Sequence, residues 1–321
     1  MIVITGAAGF IGSCVLSYFN QKGHQDIIIV DDFSRADKNK NLEGKKFSQQ
    51  IHRDEFINWF RHNAQQINYV IHLGARTDTT EFNTEVFEKL NVQYSKDIWN
   101  ICCQYQIPLI YASSAATYGA GEHGYDDDET KLSLLQPLNP YGWSKHYFDL
   151  WVMQQNEHPP FWAGLKFFNV FGPNEYHKGR MASVVFHAFH QIQKTGKVKL
   201  FRSHRPDFKD GEQLRDFVYI KDVVKVIYFI YSNKIKNGIY NLGTGKARTF
   251  LDLARSVFKA MNKLENIEFI DTPEDIRDKY QYFTEARMQK LLQQSYSEKF
   301  TSLEDAIQDY VLNYLIPEKY Y

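Results

Sequence analysis

Apolar and polar positions alternate in blocks along the first half of the chain, and each block has the length of a strand or a helix. Short, almost continuous apolar runs predict strands at 2–5, 27–30, 69–73, 108–113 and 161–170. Apolar residues recur at helical spacing over 10–22 and from about 84 to 104. Apolar strands separated by helices indicate a parallel sheet covered on both faces. This half therefore predicts a doubly wound α/β fold of the Rossmann type.

The pattern loosens in the second half. Residues 174–215 are rich in His, Lys and Arg and contain one helical stretch near 181–194. Strand-like runs at 216–220 and 238–242 predict a return to the sheet, and the rest is mostly helical with a short strand near Ile267. We expect a dinucleotide-binding domain over 1–168 and 216–242. A smaller α/β substrate domain would consist of 169–215 and 243–321.

Composition and charge bear on which partners and which cellular setting this protein can have. The 321 residues carry 38 basic and 38 acidic side chains, so no broad attraction to nucleic acid or to an anionic membrane is expected. Cys14, Cys102 and Cys103 lack metal-type spacing, which favours a reducing, cytoplasmic setting and no metal site. The first predicted strand begins at residue 2, and no apolar run is long enough to span a bilayer. We expect a soluble globular protein.

Three glycines lie in the turn between the first predicted strand and helix. Gly6, Gly9 and Gly12 permit a tight turn and a close approach of the backbone to a pyrophosphate, which then rests on the helix N-terminus. The spacing is Gly-x-x-Gly-x-x-Gly rather than Gly-x-Gly-x-x-Gly. In this strand–turn–helix context it predicts a dinucleotide site.

Charged residues after the second predicted strand bear on the choice of dinucleotide. Asp31 closes that strand, where an acid normally holds the adenine ribose hydroxyls and repels a 2′-phosphate. Arg35, Lys38 and Arg53 follow, and cations here neutralise such a phosphate. From these residues alone both NAD and NADP stay open.

Tyr141 and Lys145 are spaced to lie on one face of a helix. Asn139 and Pro140 before them are typical of a helix start. A free tyrosine has a pKa of about 10 and is a poor base near neutrality. A lysine ammonium one turn away and a nicotinamide's positive charge would both favour the phenolate and lower that pKa. The pair therefore predicts an acid/base site beside a nicotinamide.

Four motifs occur in the order of a known family: 5–12 (TGAAGFIG), 111–119 (YASSAATYG), 141–145 (YGWSK) and 215–219 (RDFVY). With them the chain resembles the extended short-chain dehydrogenase/reductase family over essentially its whole length. A narrower resemblance rests on 168–173 (FNVFGP), 177–183 (HKGRMAS), 241–245 (NLGTG) and 280–284 (YQYFT). It is to those epimerases of the family that act on ADP-activated heptose for the lipopolysaccharide inner core. It implies inversion at C6″ through transient oxidation to an aldehyde and return of the hydride.

The resemblance also implies roles for individual residues. Ser114 would contact the substrate hydroxyl, Tyr141 and Lys178 would be two acid/bases, and Lys145 would hold the nicotinamide ribose. The remaining cofactor-binding residues would be Gly6, Gly9, Phe10, Ile11, Gly12, Asp31, Asp32, Lys38, Arg53, Leu73, Gly74, Ala75, Arg76, Thr77, Asn91 and Val170, with Lys145 and Lys178 contributing again. The substrate-binding residues, besides Ser114, would be Asn169, Arg180, His187, Phe201, Arg202, Ser203, His204, Arg215 and Tyr280.

The cationic positions Lys38 and Arg53 match those that suit NADP in these relatives, which favours NADP with NAD still possible. The resemblance further implies a homo-oligomer, a pentamer. Arg180 stands where the relatives usually have serine, Leu73 and Arg76 differ in the loop after the strand, and Asp32 replaces a common asparagine. These departures bear on cofactor preference and sugar contacts rather than on the chemistry.

Three rival functions are each separated from this one by a feature of the sequence. A sugar-nucleotide 4,6-dehydratase would place an Asp-Glu pair after the active-site Ser or Thr, whereas Ser114 is followed by Ala115 and Ala116. Another NAD(P)-dependent nucleotide-sugar 4-epimerase shares most motifs, and only the segment 177–179 separates it. A non-catalytic cofactor-sensing protein is disfavoured by the intact Ser114, Tyr141 and Lys145.

Overall fold

The computed structural model describes residues 1–79, 81–233, 235–277 and 280–321. Thirteen strands lie in these ranges: β1 (Ile2–Thr5), β2 (Ile27–Asp31), β3 (Gln49–His52), β4 (Tyr69–His72), β5 (Leu109–Ser114), β6 (Trp162–Phe167), β7 (Asn169–Phe171), β8 (Val198–Phe201), β9 (Leu214–Arg215), β10 (Phe217–Tyr219), β11 (Gly238–Leu242), β12 (Arg248–Thr249) and β13 (Ile267–Ile270).

Helices separate most of these strands. Within the same ranges they are α1 (Phe10–Gln21), α2 (Ala36–Asn39), α3 (Arg53–Asn63), α4 (Thr84–Phe87), α5 (Tyr94–Gln104), α6 (Pro140–Met153), α7 (Val184–Thr195), α8 (Ile220–Ser232), α9 (Phe250–Ala260), α10 (Glu274–Arg277), α11 (Gln289–Leu292) and α12 (Leu303–Tyr310). Short 3-10 or π-helical segments lie at Lys40–Leu42, Ala64–Gln66, Glu88–Gln93, Ala115–Tyr118, Glu129–Leu134, Tyr176–Met181 and Val311–Leu315.

Seven strands form one sheet in the order β11-β6-β5-β4-β1-β2-β3. Every pairing in it is parallel. β1 lies inside the sheet, and the chain winds outward from it in both directions, which confirms the predicted doubly wound fold. Helix α1 packs on α8, while α3 packs on α5. The switch in winding direction places the carboxyl ends of β1 and β4 side by side, where ligands bind in such sheets.

Two expectations about strands need correction. The run 161–170 is not one strand: it breaks at Phe168, whose N–H donates to the carbonyl of Leu242 of β11 (3.1 Å), and the next N–H donates to the carbonyl of Asp216 (3.0 Å). The chain thus changes partners from β11 to β10. The segment 216–220 does not return to the seven-stranded sheet, because β10 pairs with β7 in a two-stranded sheet. Of the two expected returns, only β11 joins the main sheet.

Three elements, β3, α3 and β8, were not predicted from the apolar pattern. β3 lies at the edge of the sheet, and only Ile51 of its four residues is buried. An edge strand that is half exposed needs no continuous apolar run. α3 follows it directly, burying Phe56 and Phe60 on one face of an otherwise polar helix. β8 pairs with β13, and its residues alternate in burial within the basic region 174–215.

Candidate active site

The glycine turn joins β1 to α1 and is packed too tightly for side chains. Gly6 has a φ of +68°, and a Cβ on it would lie 2.7 Å from the backbone nitrogen of Gly74 at the end of β4. A Cβ on Gly12 would overlap the carbonyl oxygen of Gly6. Glycine is therefore required at both positions. The turn opens the N-terminus of α1 toward a first cavity, as a dinucleotide pyrophosphate requires.

Acids and cations meet at one end of this first cavity. Asp31 is buried, accepts a hydrogen bond from the N–H of Ala8 (2.9 Å) and forms an ion pair with Lys38. Arg53 pairs with Asp32 (3.2 Å), and the hydrogen bonds that Asp32 accepts from Ser34 lower the pKa of Asp32 to about 2. Lys38 and Arg53 are thus each held by a predicted acid, whereas Arg35 pairs with Asp37. This end can bind a ribose hydroxyl or a phosphate.

The loop after β4 forms the next part of the cavity wall and is held by Asn91. The Asn91 side chain accepts from the N–H of Arg76 (2.8 Å) and donates to its carbonyl (3.0 Å). It also donates to the hydroxyl of Ser144 (2.9 Å), which in turn donates to the carbonyl of Tyr141 (2.7 Å). Asn91 therefore lies behind the cavity and couples the strand-end loop to α6. Leu73, Gly74, Ala75, Arg76 and Thr77 line the cavity as predicted.

Helix α6 presents Tyr141 and Lys145 to a second cavity. Its start is capped by the Asn139 side chain, which accepts from the N–H of Gly142 (2.8 Å). Lys145 donates to the carbonyl of Ala112 on β5 (2.8 Å), and Ser114 ends that strand. Ser114, Tyr141 and Lys145 line the second cavity together.

Burial controls the charges of these groups. It lowers the pKa of Lys145 to about 8, and the Asp149 carboxylate opposes that change. It raises the pKa of Tyr141, with the hydrogen bond to Ser114 acting in the opposite direction. In the chain by itself the phenol is therefore favoured, and Lys145 alone does not produce the lowered pKa that the Tyr–Lys spacing predicts. A cationic ring bound beside Tyr141 would supply the missing effect.

A buried ion pair lies one turn further along α6. Asp149 and Lys166 of β6 are both fully buried and lie 2.8 Å apart. Asp149 also accepts from the hydroxyls of Tyr111 (3.1 Å) and Ser113 (2.6 Å), and Lys166 donates to Thr117 (2.5 Å). The pair thus ties α6 to both strands beneath it. No local pattern in the sequence signalled this network.

Lys178 reaches the site from a different part of the chain. It lies in the 3-10 segment Tyr176–Met181 and lines both cavities. Its Nζ lies 5.3 Å from the ring centroid of Phe10. Burial lowers its pKa, while the neighbouring Glu175 opposes that change. The segment is anchored by Glu175, which is fully buried and accepts from the hydroxyl (2.7 Å) and N–H (2.5 Å) of Ser183.

Comparison with known proteins agrees with this geometry. The sequence profile described as the NAD dependent epimerase/dehydratase family matches residues 2–243. The chain belongs to this family. A curated relative, the ADP-L-glycero-D-manno-heptose-6-epimerase of Fusobacterium nucleatum subsp. nucleatum, is 48% identical over 100% of both chains.

Two solved structures are also similar to this chain. The Helicobacter pylori ADP-L-glycero-D-manno-heptose-6-epimerase superposes with a TM-score of 0.79 at 30% identity, covering 97% of this chain and 95% of that one. The Thermus thermophilus UDP-glucose 4-epimerase, solved in complex with NAD, gives 0.75 at 25% identity and covers 97% of each chain. These findings confirm the family predicted from the motifs. They also make a nicotinamide dinucleotide the class of cofactor for this epimerase/dehydratase family member.

The predicted substrate residues of this family member fall into two groups. Asn169 and Ser114 line the second cavity, and so does Val170, which was expected at the cofactor. The others line neither cavity: Arg180, His187, Phe201, Arg202, Ser203, His204, Arg215 and Tyr280. Arg180 is exposed and pairs with Asp78 (3.4 Å). His187 on α7 lies 3.3 Å from the carbonyl of Arg180.

Arg215 is the centre of the outlying group. It is buried, and its guanidinium lies 5.6 Å from the ring of Phe250 and 5.4 Å from that of Tyr280. The ring of Tyr280 also contacts Phe201 (5.9 Å). Phe250 in turn lines the second cavity. Arg215, Tyr280 and Phe201 are therefore linked to the second cavity through the ring of Phe250.

Several cavity residues had been given no role. His177 lines the first cavity, Phe171, Phe217 and Phe250 line the second, and Met181 lines both. Arg35, one of the cations predicted near the adenosine end, also lines the first cavity. The apolar residues look like ordinary core positions by composition, although Phe171, Met181 and Phe217 lie, like His177, in the motifs 168–173, 177–183 and 215–219. No helix in the described ranges combines the length and apolar character needed to cross a bilayer.

Proposed function

We propose that this chain is a nucleotide-sugar epimerase that inverts C6″ of ADP-glycero-manno-heptose. The single observation that carries the proposal is the lining of the second cavity. Tyr141 and Lys178, from separate parts of the chain, both face it, and Lys178 also faces the first cavity. An epimerase that returns a hydride to the opposite face of a carbonyl needs a proton carrier for each face. The full-length relatives named for this substrate support the same conclusion.

The first cavity suits a nicotinamide dinucleotide. Its backbone cradle has no room for Cβ atoms at Gly6 and Gly12, and the N-terminus of α1 opens on it. When bound, the cofactor supplies a reversible hydride acceptor. Gly6, Gly9 and Gly12 would hold its pyrophosphate, and Lys145 the nicotinamide ribose.

Proton transfer is the task of the protein's own side chains. Tyr141 would hold or release the proton of the C6″ hydroxyl on one face, with Ser114 bonded beside it. Lys178 would serve the other face, and burial already lowers its pKa toward the range of an acid/base. Arg215, flanked by Phe250 and Tyr280, would bind the ADP part and hold the sugar while its end rotates.

The adenosine end supports NADP. Lys38 forms an ion pair with Asp31, the acid that would otherwise repel a 2′-phosphate. Arg35 and Arg53 line the same cavity and add donors that match a phosphate. We further propose a homo-oligomer, with a pentamer as the expected state, and a cytoplasmic setting. Light scattering on the purified protein measures the subunit number.

The direct test is turnover of ADP-heptose together with identification of the extracted nucleotide by mass. We expect inversion at C6″, bound NADP, and no label in the product when labelled NADPH is added, because the cofactor is recycled without release. Turnover of a UDP-hexose with no action on ADP-heptose would instead make the chain a 4-epimerase.

Lys178→Met tests the second acid/base. It keeps the bulk of the side chain and removes the proton-transferring group, so epimerisation should fall by about 10²–10⁴. Bound cofactor and the melting temperature should stay near those of the unmodified protein. A wild-type rate would contradict the two-base mechanism and leave Tyr141 as the one proton carrier.

A further inference from the structure

Asn41 is a buried side chain that joins three separate segments around the active site. It lies in the 3-10 segment Lys40–Leu42, is fully buried and lines neither cavity. Its Nδ2 lies 3.0 Å from the carbonyl oxygen of Ala8 in the glycine turn. The same atom lies 3.1 Å from the carbonyl oxygen of Asn174 and 3.2 Å from Nδ1 of His177. Both of these residues belong to the stretch that leads into Lys178.

The surroundings determine how the Asn41 amide is oriented. Rotating it would bring Oδ1 against the carbonyl oxygens of Ala8 and Asn174, so Nδ2 must face them. Burial and the nearby Lys38 and Lys178 lower the pKa of His177 to about 4, so its ring is neutral. A neutral His177 can accept from Asn41 at Nδ1 and carry its hydrogen on Nε2.

Two more contacts attach the same stretch to the cofactor side. Arg35 donates from Nη2 to the carbonyl of His177 (3.0 Å). The Asn174 side chain donates to the hydroxyl of Ser13 on α1 (2.9 Å). On the opposite side nothing lies within 4 Å of a Cβ built on Gly179, which has a φ of +54°. The stretch is therefore bonded to the glycine turn, to Arg35 and to α1, and also to Tyr321 near the end of the chain, while the space beside Gly179 is open.

We propose that Asn41 is a positioning residue for Lys178, holding its turn against the glycine turn so that the amine faces both cavities. The proposal rests on the proposed role of Lys178 as the second acid/base. Asn41 touches neither cavity, so it acts through the turn and not on the substrate. Placement of a catalytic group within about 1 Å affects rate by up to about 100-fold. The loop after β2 would thus couple the cofactor site to the proton carrier.

A double-mutant cycle of Asn41→Leu and Lys178→Met tests this coupling. Asn41→Leu keeps the volume and removes the donor hydrogens. We expect it to lower kcat about 10- to 100-fold when Lys178 is present. In the Lys178→Met background we expect less than about a twofold further loss, since there is no amine left to position. The slow variants are assayed at high enzyme concentration and long incubation.

Asn39→Leu is the matched control, because Asn39 lies in the same loop and donates to the carbonyl of Phe33 (2.7 Å) within that loop. It should change kcat less than about threefold. Bound cofactor and melting temperature are measured for every variant. If Asn41→Leu is not recovered folded, Asn41→Ser, which is shorter and cannot reach all three acceptors, enters the same cycle.

The outcomes separate the two proposals. Equal losses from the Asn41 variant in both backgrounds would overturn the positioning role, because a purely structural effect multiplies with any other change. A wild-type rate for Asn41→Leu would overturn it as well. A wild-type rate for Lys178→Met alone would overturn the proposed acid/base role of Lys178, and the positioning role of Asn41 with it.

Discussion

The two proposed proton carriers are supported by very different parts of the molecule. Tyr141 stands on the catalytic wall, here defined as β5 and α6, where Lys145 is 5% exposed and donates to the carbonyl of Ala112, and the Asn139 side chain caps the helix. Lys178 stands on the Lys178 turn, here defined as Tyr176–Met181, where Gly179 and Arg180 are exposed. A regular helix sets the first position by its own geometry. The second depends on bonds to distant segments.

The two proposed acid/bases therefore differ in how firmly their positions are fixed. The catalytic wall is held by a buried ion pair and a helix cap, so it can keep a cofactor and a hydroxyl in register through both half-reactions. The Lys178 turn meets the cavities through a few side-chain bonds, including those from Asn41 and Arg35. Removing one partner of the buried ion pair of the wall should therefore lower stability, whereas changes near the turn should act on chemistry alone.

The largest effect is expected from Tyr141→Phe, which removes only the hydroxyl from the wall. Epimerisation should fall by about 10²–10⁴ because the proton carrier of one face is lost. Cofactor content and melting temperature should hold, as measured by absorbance of the extracted nucleotide and by calorimetry. Near-normal turnover in a folded variant would remove Tyr141 from the mechanism.

Lys166→Met tests whether the buried pair stabilises the wall. It leaves the Asp149 carboxylate buried without its cation, which should lower the free energy of unfolding by about 3–5 kcal/mol. Urea denaturation measures the change. The double variant Lys166→Met with Asp149→Leu removes both charges and should recover much of the loss. A loss below about 1 kcal/mol for the single change would show that water or rearrangement compensates the carboxylate.

Lys38→Ala tests whether Lys38, which lies at the first cavity and outside the catalytic wall, binds the 2′-phosphate of NADP. It removes the cation that neutralises Asp31, so affinity for NADP should fall about 10- to 100-fold while affinity for NAD stays within about threefold. Titration calorimetry on cofactor-stripped protein measures both. The change also leaves the buried Asp31 carboxylate without its cation, so the melting temperature of the stripped protein should fall as well. Equal losses for NAD and NADP would assign Lys38 to fold maintenance rather than to the 2′-phosphate.

The smallest effect is expected from the charge of Lys145, which is buried in the catalytic wall and changes the pH dependence of stability. The pKa of Lys145 falls from 10.5 to about 8 on folding, so below pH 8 folding buries an ammonium and loses stability. Between pH 8 and 10.5 the unfolded chain binds the proton and the folded chain does not, so this group makes stability rise with pH.

Lys145→Met should accordingly be more stable than the unmodified stripped protein at pH 7, because the variant buries no ammonium. That difference should shrink as the pH rises to 10.5, because the unmodified protein gains stability and the variant does not. Denaturation curves across that range measure it. A pH-independent difference would mean that packing at residue 145, and not its charge, decides the result.

Sequence periodicity by itself determined the doubly wound sheet and the catalytic wall. Five strands appear as apolar runs because both of their faces are covered, so polar and apolar residues do not alternate along them. They are β1, β2, β4, β5 and β11. Gly6 and the Tyr141–Lys145 pair could be predicted because a turn and a single helical face are local geometry. The edge strand β3 was not predicted, because half of it faces solvent and it therefore has no continuous apolar run.

Only the tertiary structure decided which distant segments meet. The buried Asp149–Lys166 pair spans α6 and β6, and the bonds of Asn41 span 33 residues to Ala8 and 136 to His177. The strand partner of 216–220 is likewise a tertiary feature, because β10 in this segment pairs with β7 and not with the main sheet. Such long-range contacts produce no periodic pattern in the sequence. Each group forms its hydrogen bonds with whichever segment the path of the whole chain brings next to it.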